Sequence, residues 1–371
     1  MVRIDVARRE LHYHSGGCLP QRPPFAPCQA CQDACPVSAI AVDPKEFRLS
    51  ADCQACGRCA AACPTDALSI AGVEPPVRWR ATGPVHLECA RVPASRCADP
   101  ETRLPCLGAL DVEALLAWVL AAKGQPVIVI DRGWCDTCPV GAPAGPHPAQ
   151  AALDRVKALF AAMGLQERLA PRRDVQHLDP KLRDDRLGGD APTRRDLLRR
   201  LGATTEDRAP TGPLAKRHRG TERLSALARR YGNGLPAIHF PSLALDAACQ
   251  AHGVCAAVCP TGALRLESEG ASRRLSFAAT DCLACGRCAA QCPEAALSLV
   301  QDGNGSPSEG RIALGHRAVF ACSACGRDHV AAQPLSLCPA CQRRNQLGRL
   351  GLALAEAGRR STPTTVTESL S

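Results

Sequence analysis

The chain has 371 residues, 45 Lys and Arg against 36 Asp and Glu, and a formal net charge of +9. Its 24 cysteines outnumber its six Phe, three Trp and two Tyr together, so no single aromatic-rich core holds so long a chain. The best apolar stretch, 110–122, is broken by Asp111 and Glu113 and falls short of the roughly 18–20 residues a spanning helix needs, which argues against a membrane protein.

The charged first ten residues lack an apolar run behind them, so no secretory signal is expected and the chain reads as cytoplasmic. A reducing cytosol keeps thiols free, so dense, closely spaced cysteines read as metal ligands rather than as a disulfide framework.

In chain order, short strands are expected over 40–42, 47–49 and 68–70. An apolar strand at 85–87 ends at Cys89, and a second at 103–107 carries Cys106. A helix follows over 111–122, with Leu110, Ala114, Leu115, Val119 and Ala122 on one stripe. A buried-type strand over 127–130 leads to Cys135 and Cys138, and a helix over 149–162 closes the unit. Strands alternating with helices imply a small parallel α/β domain over 82–170, with Cys135 and Cys138 at the carboxyl end of a strand, where such folds place their sites.

Residues 165–231 hold 17 Lys and Arg against 10 Asp and Glu, including Arg172-Arg173, Arg194-Arg195, Arg199-Arg200 and Lys216-Arg-His-Arg219. Two readings stand for the basic stretch, placed at 171–235: a solvated linker, or a docking surface for an acidic partner. Further strands are expected over 264–266, 275–277 and 297–300. Near the carboxyl end Cys322-x2-Cys325 and Cys338-x2-Cys341 stand 12 residues apart. Such paired knuckles over 316–345 read as a tetrahedral zinc ribbon, ahead of a rubredoxin-like iron site, whose insert is longer and aromatic-rich. Residues 359–371 are rich in Ser and Thr and read as a disordered tail.

One repeat is plain. The stretches 52–70 and 281–299 agree at 14 of 19 positions, and both read Cys-x2-Cys-x2-Cys-x3-Cys-Pro, at 53, 56, 59 and 63 and at 282, 285, 288 and 292. A partial run precedes each: Cys28-x2-Cys31-x3-Cys35-Pro36 and Cys249-x5-Cys255-x3-Cys259-Pro260. This resembles the two-cluster bacterial ferredoxins, over 18–72 and again over 243–301. In that run three thiolates hold one cubane cluster and the fourth ligates its neighbour.

The resemblance implies ferredoxin modules at 1–75 and 243–301 with [4Fe-4S] clusters on four sets of residues. Cys53, Cys56 and Cys59 would join Cys35, and Cys282, Cys285 and Cys288 would join Cys259. Cys28, Cys31 and Cys63 lack a fourth thiol where the family has one, because Phe25 stands there; Cys18, on a Pro-rich loop, is the preferred substitute over an incomplete cluster. Cys249, Cys255 and Cys292 have His252 at the missing offset, and two readings stay open: a histidine ligand, or a [3Fe-4S] cluster without it. The middle segment resembles the delta subunit of the methyl-viologen-reducing hydrogenases, through Leu104-Pro-Cys106-Leu-Gly, the 127–130 strand with Cys135-x2-Cys138, and Met163-Gly164-Leu165. That likeness implies a [2Fe-2S] cluster on Cys89, Cys106, Cys135 and Cys138, and leaves Cys97 without a part.

The expected fold is therefore an α+β multidomain chain: two ferredoxin-like modules flanking a parallel α/β domain, with a zinc ribbon behind. No Gly-x-Gly-x-x-Gly follows a strand and no phosphate loop is present, so no catalysis of its own is expected. The expected function is relaying single electrons between redox enzymes: a hydrogenase, a formate dehydrogenase or other molybdoenzyme, or a flavoprotein. Competing readings are an accessory or maturation protein for a metalloenzyme and, below it, a nucleic-acid-binding metalloprotein, for which aromatics are scarce.

Overall fold

The computed structural model describes residues 2–6, 9–23, 27–141, 145–165, 167–184, 214–300, 310–330 and 336–360. The first unit runs through β1 (Val2–Val6), β2 (Arg9–Tyr13), α1 (Ala30–Asp33), β3 (Ile40–Val42), β4 (Phe47–Leu49), α2 (Arg58–Ala62) and β5 (Leu68–Ile70). β2 pairs antiparallel with both β1 and β5, and β3 with β4. Leu11, Tyr13, Ile40 and Leu68 fill its small core, with the Tyr13 ring stacked on Phe47 at 4.2 Å.

The middle unit holds β6 (Val85–Cys89), β7 (Arg103–Leu104), α3 (Val112–Ala122), β8 (Val127–Asp131), α4 (Gln150–Ala162) and β9 (Arg172–Val175). Its sheet has the order β7-β6-β8-β9 and every pairing is parallel. β8 is buried along its whole length, as a strand covered on both faces must be. Asp111 caps α3 by accepting the Ala114 N–H at 2.8 Å, so the helix starts one residue later than the apolar stripe suggests.

The basic stretch is not a linker where the structure describes it. β9 extends the sheet although its side chains are exposed, because its backbone satisfies the open edge of β8. Further on, α5 (Ala215–Tyr231) buries Leu224, Leu227 and Ala228 in the same core as Leu115, Trp118 and Phe160. These residues, with Tyr231 packed beside them, follow helical spacing, a stripe hidden among the charges.

Three cations of α5 are likewise not free for docking. Lys216 pairs with Asp111 at 2.7 Å, Arg219 with Asp66 at 2.8 Å and Glu113 at 3.5 Å, and Arg223 with Glu74 at 2.7 Å. Their charge is used inside the molecule, fastening the first unit to the middle one. The Arg194-Arg195 and Arg199-Arg200 pairs lie outside the described residues.

The second repeat contains β10 (Ser242–Leu245), α6 (Val254–Ala257), β11 (Leu264–Glu269), β12 (Ser272–Phe277), α7 (Arg287–Ala290) and β13 (Leu297–Val300). Pairing of β10 with β13 and β11 with β12 repeats that of β2 with β5 and β3 with β4. The chain ends in β14 (Ile312–Ala321), β15 (Asp328–Val330) and α8 (Pro339–Arg360). β14 pairs with β12, so the carboxyl-terminal cysteines ride on a strand of the second repeat's four-stranded sheet, and a boundary at 316 falls inside β14. Of the expected tail, 359 and 360 end α8, and 361–371 lie outside the described residues. No described helix is long and apolar enough to cross a membrane.

Candidate metal centres

The two-residue gaps between cysteines are left-handed turns. Ala55 (φ 44°) and Gly57 (φ 83°) flank Cys56, and Ala284 (φ 53°) and Gly286 (φ 71°) flank Cys285. Ala251 (φ 48°) and Gly253 (φ 80°) flank His252 in the same way. Each Cys-Pro step also ends in a left-handed residue three positions on: Ser38, Asp66, Gly262 and Ala295. Six of the seven non-glycine residues with positive φ among the described residues lie in these loops. That conformation costs an L-residue about 1–2 kcal/mol, so strain is concentrated around the thiols.

The turns aim backbone N–H groups at sulfur. Ala251 donates to Cys249 Sγ at 3.4 Å, Ala284 to Cys282 Sγ at 3.4 Å, Ala39 to Cys35 Sγ at 3.2 Å and Ala296 to Cys292 Sγ at 3.3 Å. Such concave rings of amides favour anions, here thiolates and whatever anionic group they hold.

The thiols come together in sets. Cys18, Cys28, Cys31 and Cys63 line one small cavity, Cys35, Cys53, Cys56 and Cys59 a second, and Cys259, Cys282, Cys285 and Cys288 a third. Cys18 reaches its set through a tight turn, with its N–H on the Ser15 carbonyl at 3.0 Å, and is buried. Phe25 lies outside the described residues. Burial pushes Cys31 up to about 12, helped by Cys63, Cys28 and Cys18; burial likewise pushes Cys282 up to about 11 and Cys288 up to about 12. Thiols that raise one another need a cation among them to ionise, so the donor sets fit iron–sulfur clusters.

The fourth set is looser. Cys255 feels the charges of Cys249 and Cys292, and His252 is half-exposed with Nε2 on Glu294 Oε1 at 2.6 Å. Left-handed residues nevertheless flank His252 as they flank Cys56 and Cys285, in line with the ligand offset at which the sequence places it.

In the middle unit burial pushes Cys106 well up, with Cys89 the next cause; Cys135 is pushed up to about 12 by burial, then Asp131, Cys89 and Cys138. Cys97 stands apart, its Sγ donating to the Pro93 carbonyl at 3.3 Å. Sequence reasoning missed a further group, in which Asp131, Cys135 and His147 have ligand atoms within 4.8 Å of one another. His147 Nδ1 accepts the Ala149 N–H at 3.2 Å, so Nε2 carries the proton and has no lone pair for a metal.

The ligand atoms of Cys322, Cys325, Cys338 and Cys341 also lie within 4.8 Å of one another, with the Cys325 and Cys338 sulfurs 3.8 Å apart. A tetrahedral metal with sulfur at about 2.3 Å puts its ligands at about that separation. The Cys338 and Ala324 N–H groups, at 3.2 and 3.5 Å from Cys322 Sγ, bring that thiol down to about 6.

Two stretches of the chain, 26–67 and 247–296, match the family model of the 4Fe-4S dicluster domain. They enclose every thiol of the four ladder sets except Cys18. No curated protein matches the chain. The protein thus contains two 4Fe-4S dicluster domains beside a parallel sheet, and these support an iron–sulfur electron-transfer role.

Proposed function

We propose that the chain is a cytoplasmic multi-cluster relay carrying single electrons between redox enzymes: a hydrogenase, a formate dehydrogenase or other molybdoenzyme, or a flavoprotein. The observation that carries this is the succession of cysteine sets packed side by side. Each bound cluster supplies reversible one-electron storage. The chain supplies the rest: thiolates to hold each group and amides to offset its negative charge.

Cys249, Cys255 and Cys292 would hold the fourth [4Fe-4S] or a [3Fe-4S] cluster; with Glu294 on Nε2, His252 would ligate through Nδ1. Cys89, Cys106, Cys135 and Cys138 would hold a [2Fe-2S] cluster, as in the hydrogenase delta subunit. Gly57 is where this site meets the first domain: a Cβ there would lie 2.9 Å from that of Ala109, so only glycine lets the Cys56 and Cys106 loops pack together. Cys322, Cys325, Cys338 and Cys341 would hold zinc, which contributes folding energy to a piece with almost no core.

Anaerobic iron and acid-labile sulfide analysis tests the reading, with EPR before and after dithionite. About 17–18 irons per chain are expected if all five iron sites fill, the lower figure with a [3Fe-4S] cluster at the fourth. Clusters that do not cycle would favour a maturation factor, and zinc alone would end the relay.

A further inference from the structure

In sequence the middle unit stands between the two cysteine ladders; in space it does not separate them. Arg22, on the loop after Cys18, donates from Nη1 to the carbonyl of Pro260, next to Cys259, at 3.0 Å. Cys63 and Cys282, one from each dicluster domain, are the described cysteines that line a shared cleft of about 400 Å³. The two dicluster domains thus meet directly, through the sets that contain Cys63 and Cys282.

The middle unit joins the first domain elsewhere, at the loop that carries Cys56 and Cys59. Ala109 Cα would lie 3.8 Å from a Cβ on Gly57, and the Ala109 N–H donates to the Cys106 carbonyl at 3.0 Å. Chain geometry then keeps the Cys56 and Cys106 Cα atoms within about 16 Å of each other. Arg58, between Cys56 and Cys59, touches both cysteine loops of the middle unit. Its Nη1 donates to the carbonyls of Val140 and Gly141 at 3.2 and 2.8 Å, and the Gly141 N–H donates to the Cys138 carbonyl at 2.9 Å. Its stem lies against Gly108: a Cβ there would sit 3.0 Å from Arg58 Cγ, and the Gly108 N–H donates to Cys106 Sγ at 3.4 Å. A continuous run of covalent and hydrogen bonds therefore leads from Cys59 through the Arg58 side chain to Cys138.

We propose that Arg58 is a positioning residue for electron exchange between the middle site, on Cys89, Cys106, Cys135 and Cys138, and the first domain's site on Cys35, Cys53, Cys56 and Cys59. The middle site is then one end of the relay and not a stage between the two ladders. The inference rests on the electron-transfer reading and deepens it by giving the sites an order: the middle site, the Cys56 set, the Cys63 set, the Cys282 set. One electron crosses the junction at a time, one site being oxidised as the other is reduced, with no bond made or broken and no proton moved. Electron tunnelling falls steeply with distance, so a residue that ties the two loops together acts on the rate of that step.

The test uses the iron-loaded full chain under anaerobic conditions, as wild type, Arg58→Ala, Arg58→Lys and Arg22→Ala, with iron content and potentials measured for each. A sub-stoichiometric pulse of photochemically generated reductant is followed by rapid-freeze EPR, which separates [2Fe-2S] from [4Fe-4S] signals and times the electron's redistribution between them. Arg58→Ala should slow that redistribution several-fold at unchanged iron and potentials. Arg58→Lys, which still offers a donor to the two carbonyls, should restore much of the rate, and Arg22→Ala, at the other junction, should leave it at the wild-type value. In fully reduced wild type the [2Fe-2S] signal should be broadened by its neighbour, a reading that needs no variant. Wild-type kinetics in loaded Arg58→Ala would overturn the proposal, as would equal slowing in Arg22→Ala or an unbroadened [2Fe-2S] signal. Loss of iron from Arg58→Ala, with none from Arg58→Lys, would also overturn it, showing that Arg58 holds a site together and does not set a rate. Loaded wild type without a [2Fe-2S] signal would remove the middle cluster and the proposal with it, whereas sites that take up no electrons would remove the relay reading itself.

Discussion

Replacing Leu224 by Ala tests whether the basic helix belongs to the core. Leu224 is fully buried and packs with Leu227 and Ala228 in the cluster that contains Leu115, Trp118 and Phe160. Leu→Ala at such sites costs about 2–5 kcal/mol, the transfer free energy of the lost carbons plus a cavity contribution. With α5 clamped at its amino end by Lys216 and Arg219, little collapse into the cavity is available, so a loss of about 3–4 kcal/mol is expected. For a unit of 150–250 residues each kcal/mol moves Tm by about 2–4 °C, so the fall should be roughly 6–16 °C. Thermal unfolding of the iron-loaded protein measures it. Leu347, 70% exposed on α8, is the control, and its change to Ala should stay within about 0.5 kcal/mol. If Leu224→Ala and Leu347→Ala cost the same, α5 is no part of the core and the segment is a linker after all.

Three further outcomes follow from the site geometry. Cys18→Ser should remove the thiol that the Ser15 turn carries into the first domain, lowering iron by up to about four per chain and sulfide with it; unchanged iron and an unchanged EPR spectrum would show that Cys18 is no ligand. Glu113 is pushed up to about 8 by burial, against the ordinary 4.5, so the folded chain keeps a proton that the unfolded chain gives up. Its contribution is present below about 4.5 and is lost as pH rises toward 8, at no more than about 1.4 kcal/mol per pH unit. Glu113→Gln should therefore flatten the stability–pH curve across that window, and a curve as steep as wild type would refute the assignment. At the carboxyl end, metal held by Cys322, Cys325, Cys338 and Cys341 should be released on acidification as the thiolates take up protons; a chromophoric chelator that finds no metal released at low pH would refute the assignment.

Much of the fold was legible because closely spaced ligands and strict alternation are local signals. The 40–42, 47–49, 68–70 and 297–300 strands have the bounds expected from short β-rich runs, and the parallel order around β8 follows from strand–helix alternation. What escaped was set by tertiary context. The hairpin of β1 and β2 ends in Leu11 and Tyr13, buried only because β5 returns beside them. The helix α5 looked solvated because its leucines are outnumbered by charges whose partners, Asp66, Glu74, Asp111 and Glu113, lie more than a hundred residues upstream. β14 could not be assigned to the second repeat's sheet, since its partner β12 lies upstream of the whole 282–292 cysteine run and of β13. Within the sites, cysteine offsets pointed to the groupings and put His252 where the other loops carry a cysteine, whereas the left-handed residues on either side of it are visible only in three dimensions.

Coulometric reduction of the anaerobically purified protein, followed at visible wavelengths, tests the central claim most directly. Four cubane-type sites and one [2Fe-2S] site should take up about five electrons per chain, reversibly, with bleaching of a brown chromophore. A colourless protein that accepts none and carries only zinc would contradict the account.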